Sequence, residues 1–377
     1  MPRRSTLYHV DGERGFRGGE RQLLYLAAAL RANGRRNVVY CRAGEELEAE
    51  ARRQGFEVRS LPFFCALDLY SGARLAADAR RENAVIHSHT GHAAGVCALA
   101  SLAGIPFVAH RRVDFPVGAV ARIFKYGCAA RTIAVSRAIA GILADSGLPE
   151  AKIAVVPDGI PVGAEENAWC QADADRYKPP TTEQRNTYRR ILAEELGIDP
   201  ATTWIGNLAA LVPHKDHDTL LAAAVLVLFK RPDARVIIAG RGPEEPRLAA
   251  AVERLGLRGR VLLIGHREDA APLMKSLDVY VQSSWGEGMG SVLIEAAACG
   301  VPRAATTAGG IPEVVADGET GLLVAPRHPE ALADAIVRLI DDRALAKRLV
   351  EGALSRLPRF GLKRMASEME DVYDAVA

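Results

Sequence analysis

The sequence predicts an α/β protein of two doubly wound domains facing one another across a cleft. Three observations carry that expectation. The chain has 377 residues, more than one ordinary core holds and suited to two domains of roughly 150–200 residues each. Short β-branched runs alternate with longer Ala/Leu-rich amphipathic stretches, the pattern of parallel sheets covered by helices on both faces. The alternation runs through twice, with a polar stretch between the two rounds.

In the first round TLYHV, NVVYC, AVIHSH, PFVAH, RTIAVS and KIAVVP read as strands, and RQLLYLAAALRANG, GHAAGVCALASLAG and SRAIAGILADSG as helices. In the second, WIGNLAAL, ARVIIAG, RVLLIGH, DVYVQSS and VPRAATT are strands. HDTLLAAAVLVLFKR, EPRLAAAVERLG, APLMKSL and SVLIEAAACG are the helices between them. The first domain is expected over 1–165 and the second over 195–361, both Rossmann-like. Residues 166–194, with Pro179–Pro180, read as a linker merging into a helix, and a last helix at about 362–377 is expected to pack back on the first domain.

With 49% hydrophobic and 25% charged residues the composition is that of a soluble globular protein. No apolar run approaches the roughly 20 residues of a membrane helix, and MPRRSTLYHVDGERG holds no signal-peptide core, so a cytoplasmic location is expected. The six cysteines form no CxxC pair, which argues against structural zinc or a disulfide framework. Lys/Arg number 22 against 16 Asp/Glu through Glu165, and 26 against 30 thereafter. The basic first half suits an anionic partner or membrane surface. Without a dense basic stripe and interleaved aromatics, nucleic acid is not an expected partner.

In such folds ligands bind at loops after strands. Gly18 and Gly19 open a helix whose free N–H groups and dipole favour an anion, though a plain loop-to-helix turn would carry the same residues. VIHSHTGH places His87 and His89 on one strand face, a conceivable metal pair, with His92 beyond. No third ligand follows at a metal-site spacing, so no metal is expected, and His89 at the strand end is placed to touch substrate. AHRRVDFPVG sends His110, Arg111, Arg112 and Asp114 out of one strand tip. The arginines suit an anionic acceptor, and Asp114 a hydroxyl or the role of base; an exposed loop ion pair is the plainer account. Ser136 reads as an N-cap only.

In the second half LAALVPHKDHDTLL sets Lys215 just before a helix, where an ammonium beside helix N–H groups makes a phosphate site. IIAGRGPEEPRL, LLIGHRED and AGGIPEVVADGETGLLV add glycine turns after further strands. SSWGEGMGSVLIEAAACGVP puts Glu287 in a glycine loop and Glu295 eight positions on, inside an apolar run.

With VPHKDH, AGRGPEEPRL, the Glu287–Glu295 spacing and AGGIPEVVADGETGLLV together, the second half resembles the GT-B glycosyltransferases of retaining family 4. FRGGERQLLYLAAAL resembles the glycine loop of the same family's acceptor domain. The resemblance implies a GT-B fold and metal-independent transfer of a sugar, with retention, from a nucleotide sugar to an acceptor hydroxyl, with no cofactor besides that co-substrate. It implies Lys215 at the donor diphosphate, Glu295 at the ribose hydroxyls, and Glu287 at the transferred sugar with backbone contacts from Gly288, Met289 and Gly290. It places Gly18 and Gly19 toward the phosphates, and Gly265, His266 and Arg267 at the base. UDP is the expected nucleotide on family frequency. The expected acceptor is a glycolipid, a lipopolysaccharide-core intermediate or another cell-surface glycan, contacted through Arg17, His110, Arg111 and Arg112. His89 and Asp114 join Lys215 and Glu287 as the expected catalytic set.

Two departures stand out. Where the family carries an arginine five positions before the phosphate lysine, this chain has Ala210, leaving Arg17 or Arg267 to compensate. HRRVD matches the family's strand-tip histidine only loosely. FPVGAVARIFKYG, with Arg122 and Lys125 beside apolar residues, suits peripheral attachment at the inner membrane face, although a buried or simply amphipathic helix is the blander account. Two rivals share the fold: a nucleotide-sugar epimerase, which would need cleft acid/base carboxylates and no acceptor, and a non-catalytic nucleotide-sugar scaffold.

Overall fold

Strands form at all eleven of these runs, and at two places more, in a computed structural model that describes residues 5–170, 176–268 and 270–376. The chain divides into two units, Met1–Ala174 with Phe360–Ala377, and Asp175–Arg359.

The first unit holds β1 (Thr6–Val10), β2 (Asn37–Arg42), β3 (Glu57–Leu61), β4 (Ala84–Ser88), β5 (Phe107–Arg111), β6 (Arg131–Ala134) and β7 (Ile153–Val155). They pair in parallel in the order β3-β2-β1-β4-β5-β6-β7. The central strands are buried along their length, mostly by apolar residues, because helices cover both faces: Leu7, Tyr8, Val38, Val39, Ile86 and Val108 are all fully buried. On one side lies the helix Gly18–Ala32, whose Leu23, Leu26 and Leu30 are also fully buried. Truncating one such leucine to alanine costs about 2–5 kcal/mol.

Two segments far apart in sequence finish this unit. Helix Gly163–Trp169 receives the backbone amides of Leu362 and Lys363 on the Glu166 carboxylate, each at 3.0 Å. The helix Leu362–Asp374 packs on Gly18–Ala32. Arg364 donates to the Pro157 carbonyl at 2.7 Å, and Arg35, its guanidinium buried, meets Asp374 at 3.1 Å. Residues 171–175 of the stretch expected as a linker lie outside the described residues. Its helix, Thr182–Leu196, belongs to the second unit, where Arg185 and Arg189 clasp the buried Asp278 at 2.8 and 3.1 Å.

The second unit's sheet runs β10-β9-β8-β11-β12-β13, again all parallel. Its strands are β8 (Thr203–Leu208), β9 (Ala234–Ala239), β10 (Val261–Leu263), β11 (Val279–Gln282), β12 (Arg303–Thr306) and β13 (Leu322–Val324). Its core joins Ile205, Val236, Ile238 and Val281 to Leu220, Val227, Leu332 and Ile336 of the flanking helices. The two Rossmann-like sheets are those the sequence predicts. In each, the strand order reverses at one point, β1/β4 in the first and β8/β11 in the second, which is where open α/β sheets take ligands.

Two strands escape the periodicity. β3, EVRSL, is a sheet edge with Glu57 exposed and Val58, Arg59 and Ser60 half-buried, so it lacks the apolar run of a central strand. β13 is only three residues long. One expected helix also differs. In FPVGAVARIFKYG only a single π-helical turn forms, Ala121–Tyr126, closed by a Gly127 N–H donating to Arg122 O at 2.7 Å. Val120 is 80% and Ile123 64% exposed, so this stretch is not a buried helix.

Candidate active site

At the β8/β11 reversal of the second unit the chain places a cation and an acid in contact. Val212–Pro213 starts a 3-10 turn, Pro213–Lys215, and Asp216 follows at φ 49°, its side chain capping the helix His217–Lys230 through the Thr219 amide at 3.3 Å. That turn aims Lys215 Nζ at Glu287 Oε2, 2.5 Å away. The same oxygen accepts from Gln282 Nε2 at 2.5 Å and Ser284 Oγ at 3.3 Å. Ser283 Oγ in turn donates to the Lys215 carbonyl at 3.0 Å. The ion pair is mostly shielded, with Lys215 and Glu287 side chains 17% and 12% exposed.

Glycine makes this loop possible. The Glu287 carbonyl accepts from the Gly310 amide at 3.1 Å, and a Cβ on Gly309 (φ 49°) would lie 1.9 Å from that oxygen. Gly290, at φ 85°, starts the helix Ser291–Ala298, which carries Glu295 half-buried one turn in. Met289 is buried. Behind the site Asn207 donates to Val281 O at 2.8 Å, which leaves its Oδ1 to accept from His217 Nε2 at 3.1 Å. Burial holds His217 neutral, with its pKa down to about 4.

The base-side residues separate. Gly265, at φ 69°, accepts the Gly240 amide at 2.7 Å, and His266 is exposed. Arg267 is clasped by both oxygens of Glu195 from the helix Thr182–Leu196. Arg267, one of the two arginines expected to make up for Ala210, is thus paired with an acid in this structure, as Lys215 is.

At the matching β1/β4 reversal the first unit packs neutral rings. His9, His87, His89 and His110 are all buried, and burial lowers each pKa, that of His9 to about 4. Their tautomers follow from the ends of the chain. Asn37 spends its amide hydrogens on Ala27 O and Arg35 O, so Oδ1 accepts from His9 Nε2 at 3.0 Å. Arg112 can only donate, so His89 Nδ1 accepts its Nη1 hydrogen at 3.4 Å. His89 Nε2 then donates to His9 Nδ1 at 3.0 Å. His87 meets Tyr373 Oη at 2.7 Å and His110 at 3.3 Å.

Here the structure corrects several expectations. A third ring nitrogen does join His87 and His89, from His9 on β1, with ligand atoms of all three within 4.8 Å. The donor pattern nonetheless spends the lone pairs on His9 and His89 that a cation would need. His89 does not face a ligand, being 4% exposed with both nitrogens engaged. His110 is 2% exposed, and Arg111 turns inward to Tyr126 Oη (3.0 Å) and the Phe115 carbonyl. Arg112 pairs with Asp158 at 3.1 Å, not with the neighbouring Asp114, which is half-buried. Of the expected acceptor residues only Arg17 stays exposed. It caps the helix opened by Gly18 and Gly19, and its amide donates to Glu20 Oε2 at 2.7 Å, which sets a carboxylate at the helix mouth. Ser136 caps its helix as expected, accepting from Ile139 N at 3.2 Å.

Sequence reasoning missed Asp11. It sits 1% exposed at the tip of β1, with Oδ1 accepting the Glu13 amide at 2.9 Å and Oδ2 buried without a partner among the described residues. Burial, with Glu20 and Glu13 adding to it and Arg112 opposing, pushes its pKa up to about 7. Gln282 and Ser284 went unread as well, although DVYVQSSWGE holds the signal: two polar residues two positions apart, just before the loop acid.

The chain matches the Glycosyltransferase Family 4 domain over residues 16–163 and the Glycosyl transferases group 1 domain over 189–356. It is 33% identical over 216 residues to D-inositol 3-phosphate glycosyltransferase of Corynebacterium glutamicum, covering 55% of this chain and 50% of that one. It is 32% identical over 214 residues to the lipopolysaccharide core biosynthesis mannosyltransferase LpsB of Rhizobium meliloti, covering 54% and 59%. These matches thus span about half the length of the curated relatives. Among solved structures, Anabaena Alr3699/HepE in complex with UDP and glucose superposes with a TM-score of 0.84 at 23% identity, over 98% of this chain and 100% of that one. That likeness shows the GT-B fold.

Proposed function

We propose that this chain, which carries a Glycosyltransferase Family 4 domain followed by a Glycosyl transferases group 1 domain, moves a sugar from a nucleotide donor to an acceptor hydroxyl. The observation that carries the reading is the shielded Lys215–Glu287 pair at the β8/β11 reversal, beside a glycine loop and a helix N-terminus. A diphosphate arriving there draws Lys215 Nζ away from Glu287. The carboxylate, still oriented by Gln282 and Ser284, is left to accept hydrogens from the sugar's hydroxyls. Lys215 and the 291–298 helix amides then stabilise the charge that grows on the departing diphosphate. The departing phosphate takes the acceptor's proton on the same face, so the anomeric configuration is retained and no metal enters the scheme. Glu295 holds the ribose.

UDP is the favoured nucleotide, supported by the UDP-bound fold neighbour. The acceptor belongs to a glycolipid, lipopolysaccharide core or another cell-surface glycan, supported by the LpsB likeness. Contact with an inner membrane face is part of the proposal. It is supported by exposed Val113, Phe115, Val120 and Ile123 beside Arg122 and Lys125, and sedimentation with anionic vesicles tests it.

The decisive experiment is a thermal-shift panel of UDP, GDP, ADP and dTDP with their sugars. One nucleotide at 100 times its Kd should stabilise the second unit by about 2.7 kcal/mol. Proton NMR of the product then reads the anomer. Stabilisation by no nucleotide favours a scaffold, and turnover of the sugar without any acceptor favours an epimerase.

A further inference from the structure

The cations at the strand ends of the second unit differ in one respect: most are already spent. Lys215 is held by Glu287, Arg267 by Glu195, and Arg247 by Asp218 and Glu244, at 2.7 Å each. Arg327 lies over the Trp285 ring, 5.3 Å from its centroid. Arg241 is exposed, and its guanidinium has no carboxylate or hydrogen-bond partner among the described residues.

Its place is fixed by its neighbours. The loop after β9 runs along the loop after β8: Ala209 N donates to Ala239 O and Leu211 N to Arg241 O, each at 3.0 Å, and Glu244 N to Leu211 O at 3.1 Å. The two glycines flanking Arg241 permit that approach. A Cβ on Gly240 (φ 155°) would stand 1.8 Å from Ala209 O, and one on Gly242 2.2 Å from Leu211 O. The backbone of Arg241 is therefore held against Ala210, in the loop that leads to Lys215.

A nucleoside diphosphate brings at least two negative charges to that loop, where Lys215 has a carboxylate neighbour to share its own. We infer that Arg241 supplies the second positive charge of the diphosphate site, taking from the β9 loop the place that Ala210 leaves empty. The inference rests on the donor-binding reading of this unit. A guanidinium held there binds phosphate oxygens through paired N–H groups, and no acid among the described residues competes for it before the ligand arrives.

Isothermal titration with whichever of UDP, GDP, ADP and dTDP binds the full chain tests it. Arg241→Ala should weaken that nucleotide about tenfold or more in low salt, and less in 0.5 M salt as screening removes the contribution. The matching nucleoside should bind both proteins alike, and Arg241→Lys should recover part of the loss. Ala210→Arg placed on Arg241→Ala should restore affinity, which general damage to the fold would not allow. Equal affinity of wild type and Arg241→Ala overturns the inference while leaving the donor site standing. Binding of no nucleotide by the wild type overturns the donor reading and the inference together.

Discussion

The two sheets share topology and handedness yet use the same point of the fold in opposite ways. At β8/β11 the second unit keeps a charged pair at a loop of glycines. At β1/β4 the first unit fills the equivalent crevice with four buried imidazoles, an asparagine and a carboxyl, nearly all bonded to one another. On the function proposed above, one crevice exchanges its partners and the other keeps them. A donor common to many transferases can be met by loops and helix ends, which depend on glycine and a few charges. The first unit's crevice is instead built from buried side chains that bond to one another.

The sharpest way to break the comparison is Lys215→Ala. Transfer should fall by about 10³-fold, of the order seen when a preorganised electrostatic partner is removed, with the circular dichroism spectrum unchanged. Turnover within tenfold of wild type would mean that the ion pair is structural, and that the two crevices do not differ in kind.

Next in size is Asp11→Asn. The raised pKa means that the folded state holds a proton the unfolded chain releases, so stability falls as pH rises from about 4 to about 7. At pH 8 the asparagine variant should be more stable by about 3–4 kcal/mol, and at pH 4 the gain should vanish. The difference between the two proteins is the quantity to read, because the neutral histidines move the other way. Their lowered pKa values cost both proteins stability as pH falls below about 6.5. A pH-independent difference in urea midpoints would refute the assignment. A carboxyl kept at that expense is also what a site with a use for it would show.

Asn37→Ala removes the acceptor that ends the imidazole chain and leaves His9 Nε2–H buried without a partner. The loss should be about 2–3 kcal/mol, with nucleotide affinity untouched. An altered nucleotide Kd would show that the permanent crevice is coupled to the exchanging one. The smallest effect belongs to Glu295→Ala, expected to weaken nucleotide binding about tenfold with the melting temperature nearly unchanged; an unaltered Kd counts against the ribose assignment.

These contrasts explain what the residues revealed in advance. Strand–helix alternation announced both sheets because central parallel strands must be apolar on both faces. It failed at β3, whose Glu57 and Arg59 answer to an edge, and at β13, too short for any period. Glu287 was legible because glycine spacing around a charge is a local pattern, and Lys215 because a lysine after a strand and a proline, just before a helix, is one too. The partners of Arg112 and His89 were not, since Asp158 is 46 positions from one and His9 80 from the other. Asp114 drew attention by adjacency, whereas Asp158 has the ion pair because β7 ends where β5 does.

The helix Leu362–Asp374 carries a consequence for the order in which the molecule comes into being. A ribosome releases all seven strands of the first unit early, then the whole second unit, and only then the residues that bring Tyr373 to His87 and Asp374 to Arg35. Until that moment Glu166 has no amides from Leu362 and Lys363 to hold, and a face of the Gly18–Ala32 helix is bare. The usual N-terminal-first sequence of maturation is therefore inverted: the second unit can finish while the first waits. A nascent chain arrested before residue 360 should display a protease-resistant second unit beside a first unit that is still readily cut.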